Sequence, residues 1–253
     1  MPPHDFRRPR LFVDAPLAAG GTVALERDQS NYLGNVLRLS AGDTILVFNG
    51  HDGEWQASIA GCKRPDSLTV LDQNRPQDRL PDLTYVFAPL KHARLDYMVQ
   101  KAVEMGASSL QPVLTRFTQV SRINSKRMRA NVIEAAEQCG ILNIASVAEP
   151  LPLERYLGAR DGERLLIFCD EATDLANPLK ALQTGGIASH GIDVLIGPEG
   201  GFAEEERAIL ARQKRNLTLS LGPRILRADT AAVAALALVQ AALGDWAGNS
   251  VRD

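Results

Sequence analysis

The sequence has few cysteines and no pattern that would make them metal ligands. Its three cysteines, Cys62, Cys139 and Cys169, are widely separated among 253 residues, and none stands in a Cys-x-x-Cys or Cys/His spacing. The four histidines show no ligand-like spacing either. This distribution argues against a zinc site and against a framework of disulfides. We therefore expect a protein without a metal.

A large net charge and long apolar runs are also missing. The formal net charge is −2, so binding to nucleic acid or to a membrane surface must depend on local clusters of charge. The longest strongly apolar stretch, 231–239, is about half of the ~20 residues that a membrane-spanning helix needs. The first residues, "MPPHDFRRPRLFVD", contain no apolar stretch of signal-peptide length. These absences predict a cytoplasmic protein that does not bind membranes.

The first part of the chain has the pattern of a small β domain. Up to residue 75, short strand-like segments such as "TILVF" and "SLTVL" flank the turn cluster "NGHDG", which is typical of hairpins in a small barrel or sheet. The polar stretch "DQNRPQDRLPD", residues 72–82, contains two prolines and is typical of a linker. We place the first domain at residues 1–75 and the linker at residues 76–82.

After residue 82 strands and helices alternate. The strand-like segments "TYVFAPL", "SLQPVL", "RLLIFCD", "IDVLIG" and "LTLSLG" are separated by helical patterns. Strands with near-continuous apolar runs are typical of a buried parallel sheet, so we predict a mostly parallel α/β domain over residues 83–247, with a tail at 248–253. The final helix, from about Asp229 to Leu243, is apolar on nearly every side, which indicates that it is buried.

Two strands of this predicted domain end in Gly-Pro. The stretch "VLIGPEGGF" ends one strand, and "LSLGPRILRADTAA" ends the next strand along the chain. Ligands of open α/β sheets bind beyond the carboxyl ends of strands, where glycines let the backbone approach closely. The loops match neither the G-x-G-x-x-G nor the P-loop motif, which favours a nucleoside-bearing small molecule over a naked phosphate. The predicted contacts are Leu195, Ile196, Gly197, Pro198, Glu199, Gly200, Gly201, Leu221, Gly222, Ile225 and Leu226.

A purely structural interpretation of these loops stays open. The first loop is then a tight turn in which Glu199 or Glu204 stabilises the N-terminus of the following helix. In the second loop, Arg227 then pairs with Asp229 at the surface. Two matched loops favour the ligand pocket over this alternative.

The two loop motifs resemble those of the bacterial 16S ribosomal RNA (uracil-N3) methyltransferase family of the SPOUT superfamily. The segments "NVLRLSAGD", "QKAVEMGASSLQPVLTRF" and "IEAAEQCG" extend the resemblance over nearly the whole chain. The resemblance implies an α/β domain with a deep trefoil knot over about residues 194–243, preceded by a PUA-like, RNA-binding β-barrel. It also implies S-adenosylmethionine as cofactor and a homodimer to which the last helix contributes.

The sequence departs from the family pattern at four positions. Tyr32 replaces a usual histidine, and Met105 replaces a leucine. Ile141 replaces a usual arginine, and Asp229 replaces a glutamate that is one methylene longer. The last two replacements bear on how the substrate is positioned.

The reaction that the resemblance implies needs help at the nucleophile, because N3 of uracil carries a proton at neutral pH. A cationic side chain beside the uracil oxygens favours the anion. Arg227 is our candidate for this role, and Asp229 is a candidate to orient Arg227 or to accept the proton through water. Glu199 has two alternative roles: to complement the sulfonium charge of the cofactor, or to fix its loop.

Local basic clusters are the candidates for RNA contacts. The segment "TRFTQVSRINSKRMRA" contains no acidic residue, and such a cluster provides phosphate contacts. Phe117 within it could stack on a base, although a position in the core is the commoner role of a phenylalanine. Solvated surface is the alternative for each cation. The candidate arginines are Arg7, Arg10, Arg38, Arg116, Arg122, Arg127 and Arg129.

The function that we expect is methylation at N3 of a specific uridine in small-subunit ribosomal RNA within the assembled 30S subunit. Two alternatives remain. The same loops would serve an enzyme that methylates another RNA such as a tRNA. The departures at Ile141 and Asp229 also allow a module that binds cofactor and RNA without turnover.

Overall fold

The computed structural model describes residues 8–61, 64–120, 122–170, 173, 177–185 and 189–247. The chain forms two compact units. The N-terminal unit comprises residues 1–79 together with 133–144, and the C-terminal unit comprises residues 80–132 and 145–253. Residues 133–144, which the sequence pattern placed in the second domain, therefore return to the first unit.

The N-terminal unit is built on a five-stranded sheet. Its strands are β1 (Arg10–Phe12), β2 (Thr22–Ala24), β3 (Thr44–Phe48), β4 (Glu54–Ala60) and β5 (Ser67–Arg75), in the order β1-β3-β4-β5-β2. β1 pairs with β3 in parallel, and the other pairs are antiparallel. Helix α1 (Arg27–Asn31) continues into a π-helical turn, Tyr32–Val36. β5 ends at Arg75, directly before the predicted linker at residues 76–82.

Alternating residues of these strands form the core of the N-terminal unit. Ile45 and Val47 of β3 pack with Ala57 and Ile59 of β4, all at most 2% exposed. This alternation is the period of two that a half-buried strand requires. The strand-like segments "TILVF" and "SLTVL" of the sequence correspond to β3 and to the first part of β5.

The C-terminal unit has a parallel sheet, which confirms the predicted α/β class. Its strands are β6 (Leu83–Phe87), β7 (Ser109–Leu114), β8 (Ser146–Val147), β9 (Leu151–Pro152), β10 (Leu165–Cys169), β11 (Ile192–Ile196) and β12 (Asn216–Leu219). The order is β12-β10-β11-β6-β7-β8, and β9 also pairs with β7. In the described part of the chain, all neighbouring strands of this unit pair in parallel. The helices after β6 are α2 (His92–Glu104), α3 (Ser125–Cys139), α4 (Leu153–Ala159), α5 (Pro178–Gly185), α6 (Glu204–Ala211) and α7 (Ala228–Leu243). Residues 133–139 of α3 belong to the N-terminal unit.

The sheet is buried on both faces. On one face Val86, Phe168 and Leu195 pack with Phe202 and with Leu210 of α6. On the other face the rings of Tyr85 and Phe87 stack at 4.9 Å, and α7 contacts β11, α2 and α5. Burial on both faces is the reason for the near-continuous apolar runs of these strands.

Helix α7 is buried along one side only. Ala232, Ala235, Leu236 and Val239 are at most 2% exposed, whereas the residues between them are half-buried apolar side chains, Val233, Ala234, Ala237 and Leu238. Across the described residues, no helix combines the length and the apolar character that crossing a membrane would require. The prediction of a buried final helix is therefore correct for one of its faces.

Candidate functional site

Both Gly-Pro loops line one cavity, which we call the first cavity. The loop after β11 contributes residues 197–202, and the loop after β12 contributes Leu221, Gly222 and 224–226. The cavity has a volume of about 260 Å³ and opens beyond the carboxyl ends of the strands. This is the place where open α/β sheets bind ligands, and that it holds a ligand stays a prediction.

The third contributor to the first cavity is β10, which the sequence analysis did not identify. β10 lies between β11 and β12, and Cys169 pairs with Ile196 on one side and with Leu219 on the other. The end of β10 therefore brings Cys169 and Asp170 into the cavity wall. The signal in the sequence was an aspartate directly after the strand "LLIFC".

Asp170 and Cys169 differ in what they offer a ligand. The carboxylate of Asp170, only 7% exposed, accepts hydrogen bonds from Nε and Nη2 of Arg207 at 3.0 and 3.2 Å. Burial raises the pKa of the Cys169 thiol to about 12. A thiol that stays protonated at neutral pH is a poor nucleophile and metal ligand. Asp170 thus offers the wall a carboxylate whose position is fixed by Arg207.

Two glycines of the loops are required by geometry. Gly222 has φ of +100° with no atom within 4 Å of the position of a Cβ, so the backbone alone demands glycine there. At Gly197 a Cβ would lie 2.9 Å from the ring of Phe202, which packs in the core. Gly197 therefore allows the chain to turn directly over the buried ring.

Leu195 does not line the first cavity, so its prediction as a ligand contact is wrong. It is fully buried on the opposite face of the sheet from Ile196, among Val86, Phe168 and Leu210. Successive residues of a strand point to opposite faces. The other ten predicted contacts line the cavity, and among them Ile225 is 92% exposed.

Arg227 and Asp229 lie at the start of α7, next to the cavity rather than in its wall. Arg227 is exposed and occupies the N-cap position of α7. Asp229 is half-buried and accepts a hydrogen bond from the backbone N–H of Thr230 at 2.8 Å. Among the described residues there is no ion pair between Arg227 and Asp229. Their chemical roles stay predictions.

A buried hydroxyl lies close to this region. Tyr85 is fully buried, and its hydroxyl has no hydrogen-bond partner among the residues that the structure describes. Burial raises the pKa of Tyr85 well above its usual range, and the nearby carboxylate of Asp229 raises it further. Tyr85 is therefore a neutral phenol below the start of α7.

Glu199 forms an ion pair with Arg94 of α2, which neither of its predicted roles anticipated. Both side chains are somewhat more than two-fifths exposed. The first turn of α6 is stabilised instead by Glu206, whose carboxylate accepts hydrogen bonds from the backbone N–H groups of Ala203 at 2.9 Å and Arg116 at 2.8 Å. Glu199 is thus directed across its loop towards α2.

A second cavity, of about 370 Å³, lies on the α2 side of the same loop. Pro198 and Glu199 line both cavities. The other charged lining residues of the second cavity are Lys91 and Arg94 at the start of α2. The loop after β7 contributes Phe117, Gln119 and Val120. Phe117 was a candidate for stacking on an RNA base, but this cavity was not predicted from the sequence.

The candidate RNA-binding arginines fall into different environments. Arg10 is buried and donates from Nε to Glu54 at 2.9 Å, so its prediction as an RNA contact is wrong. The partner, 44 residues away, could not be recognised from the sequence. Arg127 donates from Nε to Asp96 at 2.9 Å, and Arg7 lies outside the described residues. The exposed candidates are Arg38, Arg116, Arg122, Arg127 and Arg129.

Ile141, which stands where the family has an arginine, is part of a small apolar cluster of the N-terminal unit. It packs with Phe48, Ala136 and Leu142. It lines neither the first nor the second cavity.

No group of three or more histidine, cysteine, aspartate or glutamate side chains suited to a metal occurs in the described part of the chain.

Comparisons with known proteins agree with this arrangement. Residues 77–240 match the family model described as RNA methyltransferase domain, and residues 25–70 match that described as RNA methyltransferase PUA domain. The chain is 30% identical over 233 residues to a ribosomal RNA small subunit methyltransferase E of Rickettsia conorii, covering 91% of this chain and 94% of the relative. It is 33% identical over 240 residues to the protein of that name from Synechocystis, covering 92% and 78%.

A solved structure is similar over the whole fold. The ribosomal RNA small subunit methyltransferase E of Neisseria gonorrhoeae, bound to S-adenosylmethionine, superposes with a TM-score of 0.82 at 28% identity. The similarity covers 95% of this chain and 100% of that one.

Proposed function

The chain belongs to the ribosomal RNA small subunit methyltransferase E family, and on that premise we propose that it methylates N3 of one uridine in 16S ribosomal RNA. The substrate is the assembled 30S subunit, and the methyl donor is S-adenosylmethionine. The observation that carries the proposal is the first cavity, where both Gly-Pro loops and the end of β10 meet.

The residues of the first cavity fit this cofactor. Leu219, Leu221 and Leu226 provide apolar surface for an adenine ring, and the Asp170 carboxylate is an acceptor for ribose hydroxyls. The glycines of the first loop expose backbone to polar ligand atoms. When bound, S-adenosylmethionine supplies an electrophilic methyl group on a sulfonium sulfur. Asp170 also places one negative charge on a wall that faces a cationic ligand.

The remaining chemistry concerns the nucleophile. N3 of uracil loses its proton more readily when a cation lies beside the ring oxygens. Arg227, exposed next to the cavity residues Leu226 and Ala228, provides this cation. Asp229 orients Arg227 or accepts the proton through water. Precise placement of the base contributes the rest of the rate.

RNA binding and assembly involve other surfaces. Phosphates are contacted by the exposed arginines Arg38, Arg116, Arg122, Arg127 and Arg129, which gives affinity without sequence information. The half-buried apolar face of α7 forms the two-fold interface of a homodimer, since an uncharged helix face favours burial. Residues 194–243 form the trefoil knot, and the protein works in the cytoplasm.

Labelled S-adenosylmethionine tests the proposal on unmethylated small subunits, with naked ribosomal RNA and bulk tRNA beside them. Nuclease digestion and chromatography identify the product nucleoside. We expect N3-methyluridine from subunits alone. Label in tRNA would redirect the assignment to another RNA. Absence of label from protein that binds the cofactor would indicate a binding module.

A further inference from the structure

The second cavity lies at a switch point of the parallel sheet. β6 and β11 are neighbours, but the chain continues from β6 to β7 on one side and from β11 towards β12 on the other. Crevices at such points are the usual ligand sites of open α/β sheets. Residues 89–91, after β6, and Pro198 and Glu199, after β11, line the second cavity accordingly.

The charged atoms of this cavity are mainly donors. Lys91 and Arg94 provide two cations, and Glu199 provides one anion that pairs with Arg94. No described residue forms an ion pair with Lys91. Ammonium and guanidinium groups donate hydrogen bonds and accept none. The cavity therefore suits a ligand that carries carbonyl oxygens and gains negative charge.

Phe117 gives the same cavity an aromatic surface. Its side chain is 45% exposed, which is unusual for phenylalanine in a folded domain. A Cβ on Gly200 would lie 3.2 Å from Cβ of Phe117, so the phenylalanine sits directly against the loop that separates the two cavities. An exposed ring in this position offers a stacking surface to a flat heterocycle.

We propose that the second cavity binds the target uracil, with Phe117 stacked on the ring and Arg94 and Lys91 donating hydrogen bonds to O2 and O4. This inference rests on the proposed function and adds Arg94 and Lys91 to Arg227 as donors to the base, since each carbonyl oxygen accepts up to two hydrogen bonds. Pro198 and Glu199 line both cavities, so a base in the second cavity lies beside the first, and transfer requires its N3 to reach the methyl carbon at the edge that the cavities share. Glu199 holds Arg94 in place before the base arrives.

The donors act on ionisation and on specificity. When the N3–H bond breaks, the proton passes to water, and the negative charge spreads over N3 and both oxygens. Arg94 and Lys91 stabilise that charge, in the manner of an oxyanion site. Cytosine carries an amino group at C4 instead of an oxygen. This amino group is a donor, so the cationic side chain that faces it would have no acceptor and would lose a hydrogen bond. The cavity therefore selects uracil against cytosine.

The test uses the full-length protein and small subunits as substrate. We expect Arg94→Gln and Lys91→Gln each to lower kcat roughly 100-fold, as loss of one oxyanion donor does, with unchanged affinity for S-adenosylmethionine. Phe117→Ala raises KM, and Phe117→Tyr retains activity. Arg155→Gln, which removes an exposed charge far along the chain from this cavity, is the matched control.

The dependence of the rate on ionisation of the uracil distinguishes a chemical role of Arg94 from a structural one. The charged groups that line the cavity around Arg94 are Lys91 and Glu199. Without Arg94 the rate should rise with pH over a range where the wild-type rate is already constant. In 5-fluorouridine the N3 proton is more acidic. Subunits that contain it should raise the rate of Arg94→Gln by a factor at least about 10 times larger than the factor for wild type, which corresponds to a shift of about one pKa unit.

The outcomes separate the two proposals. Wild-type protein that methylates no uridine overturns the proposed function. Active wild type with Lys91→Gln, Arg94→Gln and Phe117→Ala all at wild-type kcat and KM overturns the inference alone. Equal rescue of wild type and variant by 5-fluorouridine also overturns it, because Arg94 then does not act on ionisation.

Discussion

Arg207 donates two hydrogen bonds to the carboxylate of Asp170 in the wall of the first cavity, at 3.0 and 3.2 Å. The pair joins α6 to the end of β10 and fixes the position of a buried carboxylate in the cavity wall. A charged, two-point hydrogen-bonded group of this kind is a rigid anchor. Its position between the two Gly-Pro loops is the basis of the first prediction.

Asp170→Asn should weaken binding of S-adenosylmethionine by roughly 10-fold or more, because one charge-assisted hydrogen bond contributes about 1.5–3 kcal/mol. Isothermal titration calorimetry measures the effect. Arg207→Lys keeps a positive charge but not the two-point geometry, and should give a smaller loss. Asp72→Asn, at an exposed position of β5, is the control. Unchanged affinity in Asp170→Asn would remove Asp170 from the cofactor site.

Arg227→Ala should lose most of its turnover while it retains cofactor affinity. Arg227 is exposed and outside the wall of the first cavity, so its removal leaves the cofactor contacts in place. Methylation of small subunits under single-turnover conditions and calorimetric cofactor binding check the two halves of this expectation. A collapse of cofactor binding instead would make Arg227 a structural residue of the pocket and contradict its catalytic role.

Gly222→Ala should destabilise the protein and weaken cofactor binding. The backbone at Gly222 has φ of +100°, and no neighbour lies within 4 Å of a new Cβ, so the cost is conformational and amounts to about 1–3 kcal/mol. Gly158→Ala is a matched control, because Gly158 also has open space around it but lies in helix α4 with ordinary φ. That change should stabilise by about 0.5–1 kcal/mol. Urea unfolding measures the change in the free energy of unfolding for both variants. Equal changes would exclude backbone strain as the reason for glycine at 222.

Acid should weaken the N-terminal unit through Asp52. Hydrogen bonds from the backbone of Leu17 and the side chains of Asn49 and His51 lower the pKa of Asp52 to about 2. Because the folded state favours the ionised carboxylate, its stabilising contribution is complete above about pH 4, the usual pKa of aspartate. It is lost as the pH falls towards 2.

Asp52→Asn should therefore unfold at lower urea concentration than wild type at pH 7, with a difference that shrinks between pH 4 and pH 2. The midpoint of urea unfolding, followed by fluorescence across this range, measures it. A difference that stays constant with pH would show that the carboxylate charge is not the stabilising feature.

Local patterns predicted most of the fold and part of the site. The Gly-Pro pairs at Gly197 and Gly222 follow apolar strands, and that local signature placed both loops at the carboxyl edge of a sheet. It could not reveal that β10 lies between β11 and β12, because strand order depends on pairing between distant segments. The contribution of Asp170 was hidden for the same reason.

Two errors at single residues have equally physical causes. Leu195 was assigned to the pocket because a strand that is buried on both faces shows no alternation to separate pocket from core. Arg10 was assigned to RNA because its partner Glu54 is remote in sequence. The amino-acid composition showed that α7 is apolar. It did not show which side of the helix packs on β11.

The wall of Pro198 and Glu199, common to both cavities, has a thermodynamic consequence. A ligand that shifts this wall from one side changes the affinity of the other side, and linkage requires the two effects to be equal in magnitude. Binding of the methyl donor and binding of the target base are then coupled. The factor by which one ligand changes the affinity of the other, measured in either direction, gives the coupling free energy between the two cavities.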